Sequence, residues 1–294
     1  MAGVGAIYSE RCGIVNIGLE GMMVIGTWFG AWAGWFYGPW YGVLAGLLGG
    51  ALFGLIHAVG TITFQVDHIV SGVAINILAA GVARFLSVVA YADVPAGGAT
   101  QSPRVDERIE KISIPYLSGG KINESDTADV FGSLEALDLF FISDLFGLLG
   151  GLTRNISYFS ILAILLVPVS VWILWSTSFG LQLRSVGEYP VGSESVGVNV
   201  YLMKYIGVTI SGAFAGLAGA YLVIESAGIY REGQTGGRGF IGLAAMIFGN
   251  WKPLGTFLGS SLFGYADSLQ LRSEESVHGL LIIIVCVLFI VGIR

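Results

Sequence analysis

Residues 203–224 read MKYIGVTISGAFAGLAGAYLVI, a run whose only charge is Lys204 near its start. At 1.5 Å per residue it covers ~33 Å as a helix, enough to cross the roughly 30 Å hydrocarbon core of a bilayer. Gly207, Gly212, Gly216 and Gly219 give it a smooth face, with Gly212 and Gly216 in the GxxxG spacing that lets membrane helices approach closely. The same ruler finds spans at 14–37, 40–63, 69–92 and 156–175, each bounded by Gly, Pro, Asp or charged residues.

The last third is less regular. Residues 240–250 are too few to cross alone, Lys252-Pro253 interrupts, and 254–269 follow. Such interruptions predict broken or re-entrant helices, which lipid tolerates only where protein or a cavity covers the freed backbone. Residues 277–293 close the chain as a final span. The expected fold is an all-α polytopic bundle of about eight helices, one membrane domain over 1–294.

Composition agrees. Of 294 residues 54% are hydrophobic and 12% charged, about half the charge of soluble chains, and mean hydropathy is +0.78. A soluble globule is excluded. Glycine, at 45 residues, is roughly twice its average usage of about 7%, as closely packed membrane helices require. Of the net charge of −6, the segment 93–155 supplies −5, with ten acidic and five basic residues, so the acidity describes one extramembrane loop. Arg11, Arg184, Lys204, Lys252 and Arg294 fall on one side and Arg154, Arg231, Arg238 and Arg272 on the other, a balance that leaves orientation open.

Catalytic signatures are missing. Cys12 and Cys286 lie far apart, His57, His68 and His278 have neither metal spacing nor triad companions, and no glycine run ends in the Gly-Lys-Ser/Thr of a phosphate loop. The reading is a non-enzyme without metal, cofactor or nucleic-acid partner. Trp and Tyr are read as interface belts and packing.

Three polar features stand out. Asn16 and Glu20 are four residues apart, hence expected on one helix face, either lining a pathway or hinge, or with Glu20 as a helix-end carboxylate capping backbone N–H groups or paired with Arg11. Asn76 and Arg84 raise the same alternatives two turns apart, Arg84 snorkelling or pairing with an acid. The joint 176–202 carries Gly187, Glu188, Tyr189, Pro190, Ser193 and Gly197 around a run suited to one short helix, with Pro190 in its first turn and Gly197 as its stop. It is a docking knob or a passive connector.

Four blocks resemble one known family: SERCGIVNIGLEGMM at 9–23; IVSGVAINIL at 69–78; FGL at 179–181 through VGEYP at 186–190 to SGAFAGLAGAYL at 211–222; and GRGFIGLAAMIFGNWKPLG at 237–255 with LFGYAD at 262–267. They are similar to the permease subunit of an ATP-binding cassette importer. The branch is nucleoside-type, dependent on basic membrane lipoproteins, within the branched-chain amino acid/ribose permease superfamily.

The resemblance implies a ten-helix type II importer fold, with a first helix and most of a second absent before Met1. It makes 176–202 the cytoplasmic coupling loop, 93–155 extracytoplasmic and longer than usual, and the C-terminus cytoplasmic. Implied partners are an ATPase subunit, a second related permease, an extracytoplasmic solute-binding lipoprotein and the plasma-membrane bilayer of a prokaryote. Tyr189, Gly192-Ser193, Ser178 and Gln182 depart from the usual Asn or His, paired alanines and arginines, which bears on coupling strength. An ion-coupled secondary transporter, a permease of the same family for a sugar or other non-nucleoside solute, and a membrane scaffold are the competing readings.

Overall fold

The computed structural model describes residues 1–271 except 107, 118, 123–124, 137–142, 144–145, 147–149 and 152. The predicted span 277–293 lies outside the described residues. Two compact units emerge, Met1–Ile109 with Leu162–Phe263, and Glu110–Ile161 with Gly264–Arg294.

The first unit is built on helices α1 (Ala2–Arg11), α2 (Leu19–Tyr37), α3 (Pro39–Ala58) and α4 (His68–Tyr91). It continues with most of α6 (Tyr158–Ser176), α7 (Ser178–Glu188), α8 (Pro190–Ser195), α9 (Val200–Tyr221), α10 (Arg238–Phe248) and much of α11 (Pro253–Leu271). The second unit contains α5 (Val130–Glu135) and four two-residue strands, β1 (Lys111–Ile112), β2 (Lys121–Ile122), β3 (Ser125–Asp126) and β4 (Ile156–Ser157). β1 pairs antiparallel with β4, and β2 with β3. There the Asp129 carboxylate caps α5 by accepting from Gly132 N at 2.8 Å and takes a second bond from the Arg154 guanidinium.

Four described helical runs are long and apolar enough to cross a membrane: Pro39–Thr63, His68–Tyr91, Tyr158–Ser176 and Val200–Ala227. Two of them end in a π-helical turn, Val59–Thr63 after α3 and Leu222–Ala227 after α9. α4 starts where Asp67 Oδ1 accepts the N–H groups of Ile69 and Val70 at 2.9 and 3.0 Å. Between α2 and α3 the chain reverses at Gly38, φ +98°, a left-handed conformation that glycine adopts without a Cβ clash, and Pro39 opens the next helix.

The centre of this unit is a glycine junction of α2, α3 and α9. α3 has Gly42, Gly46, Gly50 and Gly54 on one side and exposed Leu44, Leu48, Leu52 and Leu55 on others. A Cβ on Gly50 would strike the backbone of Gly212 and Gly216, one on Gly26 the backbone of Gly216, and one on Gly219 the backbones of Met23 and Thr27. Main chains here touch main chains. Such contact gains dispersion energy without a hydrophobic drive, the currency available inside a bilayer. The leucines of α3, with Val73, Ile77 and Phe85 of α4, face outward as a lipid-compatible surface.

The structure corrects four sequence expectations. The span drawn at 14–37 becomes helix only at Leu19, and Ile14–Gly18 is irregular; Asn16 therefore does not share a helix face with Glu20. The joint 176–202 is mostly helical, and α7 precedes the one short helix expected there. Residues 156–157 belong to a strand rather than to the following span. Helix α11 has nineteen residues, three more than the sixteen drawn: the interruption before it stands at 249–252, Pro253 joins the first turn, and the helix runs two residues further, to Leu271.

Candidate functional site

The interruption between α1 and α2 is largely buried at Cys12, Ile14, Asn16 and Gly18, where main-chain polar groups left by the helix need partners. Side chains from three helices supply several. Ser9 Oγ donates to Ile14 O at 2.6 Å. His57 of α3 reaches Val15 O through Nε2 at 3.3 Å and Ser71 Oγ through Nδ1 at 2.9 Å. A carbonyl only accepts, so Nε2 carries the proton and the Ser71 hydroxyl donates to Nδ1. Asn76 of α4 donates to Ile17 O at 3.2 Å and accepts from Gly21 N at 2.7 Å. Asn16, fully buried, donates to Ser211 Oγ of α9 at 3.0 Å, while its Oδ1 has no hydrogen-bond partner.

Glu20 serves a different element. Its Oε1 accepts from Gly237 N at 3.0 Å and its Oε2 from Gly239 N at 2.7 Å, so the carboxylate sits at the N-terminus of α10, where the helix dipole favours negative charge. Gly239 permits this approach, since a Cβ there would meet the Glu20 main chain at 2.6 Å. Of the polar residues that stand out in the sequence, Asn16 and Asn76 meet at the break and Glu20 ties the start of α2 to α10. Arg84 pairs at 3.6 Å with Glu232.

The polar joint is seated on the same break. Thr177 caps α7 by accepting from Gly180 N at 3.1 Å, and α7 buries Leu183 and Val186. Its Gly187 lies on the end of α1, where a Cβ would run into the Arg11 carbonyl. Pro190 then opens α8, Ser193 is buried with its hydroxyl donating to Tyr189 O at 3.1 Å, and Gly197, φ +88°, ends the turn. Glu188, Tyr189, Val191 and Val196 are left exposed, Val196 at 78%. Behind the joint, Arg11 and Arg184 place their guanidinium carbons 5.6 and 5.5 Å from the centre of the Trp175 ring, each within cation–π range. Arg11 also donates to Trp251 O at 3.2 Å, and the Trp251 indole to Glu10 at 3.4 Å. The joint is thus tied to the α10–α11 turn through α1.

Among the described residues no group of three or more His, Cys, Asp or Glu is placed to hold a metal. The site's chemistry is hydrogen bonding and close main-chain contact.

A profile for the branched-chain amino acid transport system / permease component family matches residues 1–290. The chain belongs to this permease family. The permease is 40% identical over 278 residues to the guanosine ABC transporter permease protein NupQ of Bacillus subtilis (strain 168), covering 92% of this chain and 77% of that one. It is 37% identical to the nucleoside ABC transporter permease protein NupC of Lactococcus lactis subsp. cremoris (strain MG1363), covering 90% and 76%. A putative glucose ABC transporter permease protein, TsgC13 of Haloferax volcanii, is 30% identical, covering 94% and 74%. No solved structure matches.

Several residues of the permease site escape a linear reading. His57 lacks any motif, and only its burial and its bonds to Val15 O and Ser71 Oγ reveal it as the stitch on the break. Trp175 read as a belt aromatic, although two arginines approach its ring. The α3 glycines were detectable, because a fourfold repeat at 42, 46, 50 and 54 is the same small-residue signal that marked α9.

Proposed function

We propose that this permease forms half of the translocation pathway of an ATP-driven importer for nucleosides. The observation that carries this reading is the 40% identity, over nearly the whole chain, to a permease named for guanosine. The joint built from α7 and α8 is its coupling element, docking a cytoplasmic ATPase subunit through Tyr189, Val191 and Val196 and passing motion to α1 through Gly187. That role places the C-terminus in the cytoplasm and 93–155 outside, where a solute-binding lipoprotein delivers cargo. A second, related permease completes the pathway.

The fold then corresponds to eight helices of a ten-helix type II importer, with α10 and α11 as its re-entrant pair. The subunit's physical task is bistability: close glycine contacts that permit repacking, biased by the coupling element. Asn16, Asn76 and the irregular segment between α1 and α2 form the hinge.

Vesicles holding the assembled complex, with binding protein outside, import labelled guanosine only when ATP is enclosed. Uptake that follows a proton or sodium gradient without ATP would support the ion-coupled alternative instead. The likeness to a putative glucose permease makes glucose the competitor to include, and guanosine uptake unaffected by excess glucose is the expected outcome.

A further inference from the structure

α2, nineteen residues long, ends at an open cleft of about 420 Å³ lined by Gly34, Trp35, Phe36, Tyr37, Gly38 and Asp106. That volume lies within the roughly 300–1,000 Å³ of small-molecule pockets. The strand-like segment carrying Asp106 is held in place. Val105 N donates to Gly228 O at 2.9 Å, Ser102 N to Tyr230 O at 3.1 Å, and Tyr230 N returns to Ser102 Oγ at 3.0 Å. The Val105 side chain, 1% exposed, covers Gly34. The segment leading to Asp106 thereby brings an exposed carboxylate next to an aromatic run.

The run passes from exposed to buried along α2: Phe36 and Tyr37 at its end are 53% and 62% exposed, whereas Trp28, toward the glycine junction, is 4% exposed. Belt aromatics stand on lipid-facing surfaces, and Trp28 does not. Below the cleft the rings of Trp28 and Trp32 lie nearly parallel, 6.2 Å apart and 11° from coplanar, and Trp35 packs against Tyr91. An aromatic track descends from the cleft into the bundle. Lipid would fill a groove without a charge in its wall; here the wall holds Asp106.

Planar π-faces beside one carboxylate suit a planar base attached to a sugar with vicinal hydroxyls. Bases stack on aromatic rings with little sequence preference, and an acidic side chain accepts hydrogen bonds from ribose hydroxyls. We propose that this cleft is the permease's outer nucleoside-binding station, with Trp35 and Tyr37 stacking on the base and Asp106 receiving the 2′- and 3′-hydroxyls. The inference rests on the nucleoside-importer reading and adds where, and by which groups, the solute first engages this subunit.

The test is uptake kinetics with the complete importer, using guanosine and 2′,3′-dideoxyguanosine. Trp35→Ala and Tyr37→Ala are expected to raise KM roughly tenfold, the size of one lost stacking contact, with the maximal rate retained; Trp35→Phe recovers most of the loss. Asp106→Asn is expected to raise KM several-fold for guanosine and to leave the dideoxy analogue at its wild-type value. Equal effects of Asp106→Asn on both nucleosides, or wild-type KM in the Tyr37 and Asp106 variants, would overturn the site while leaving the importer reading intact. Tyr37 and Asp106 are exposed, so their variants carry the test even where Trp35→Ala does not fold. A wild-type complex that imports no nucleoside at all brings down both.

Discussion

Both oxygens of Glu20 hold α10: Oε1 takes the N–H of Gly237 and Oε2 that of Gly239, from more than two hundred residues away in the chain. Each donor has its own carboxylate oxygen, and an amide offers only one oxygen. Glu20→Gln therefore loses one bond and turns an NH₂ group toward an N–H. The variant should be destabilised by about 2 kcal/mol, the usual effect of leaving a half-buried donor unpaired, read as a lower thermal midpoint of the complex in nanodiscs. A variant that melts like wild type would mean that α10 does not depend on this cap.

Gly187 has the main chain of Arg11 where its side chain would be. Gly187→Ala pushes the joint off its seat, and the strain of overpacking, about 1–3 kcal/mol, falls on the contact assigned to coupling. ATP hydrolysis by the complex should persist while nucleoside uptake per ATP drops at least fivefold. Glu188→Arg, an exposed charge reversal on the same joint, should uncouple in the same sense. Unchanged uptake in both would place coupling elsewhere.

The glycine junction predicts a graded stability series. Gly50→Val and Gly216→Val insert branched side chains between main chains in contact, so folded protein recovered from membranes should fall severely. Gly81 of α4 is a control: nothing lies within 4 Å of a Cβ placed there. Gly81→Ala should be neutral or stabilising by up to about 1 kcal/mol, the helix-propensity difference, when thermal midpoints are compared.

In the second unit, the Gly132 N–H first, and then the Arg154 guanidinium, hold the Asp129 carboxyl below its ordinary range. A folded-state pKa below the unfolded value means that the carboxylate's contribution is fully present above the unfolded value near 3.8 and is lost as pH falls through the folded one. Limited proteolysis of this loop should be unchanged between pH 7 and 5 and accelerate below about pH 4. Asp129→Asn should be cleaved faster already at neutral pH, with a weaker dependence on acid. A wild-type loop cut equally fast at pH 3 and pH 6 would contradict the clasp.

Much of this was readable from the linear chain. The spans at 40–63 and 69–92 match helical runs beginning within a residue of those limits, because a segment whose side chains are nearly all apolar has few ways to satisfy its backbone in lipid other than a helix. Pro190 and Gly197 delimit α8 as their backbone preferences dictate. Arg84 was expected to snorkel or to meet an acid, and it meets Glu232.

What sequence could not decide was where a continuous apolar pattern stops being helix. Ile14–Gly18 looks no different from the residues that follow it; it is irregular in a structure where His57, Asn76 and Ser211, from three other helices, present hydrogen-bonding groups to it. Helical periodicity likewise put Asn16 and Glu20 on one face, whereas tertiary contacts send one to α9 and the other to α10. Composition and hydropathy alone determined a membrane-embedded helical protein, since they decide which solvent each segment can face. The break, the seat of the joint and the aromatic cleft were decided only by the fold, because each depends on partners distant in sequence whose meeting is set by how closely α2, α3 and α9 pack.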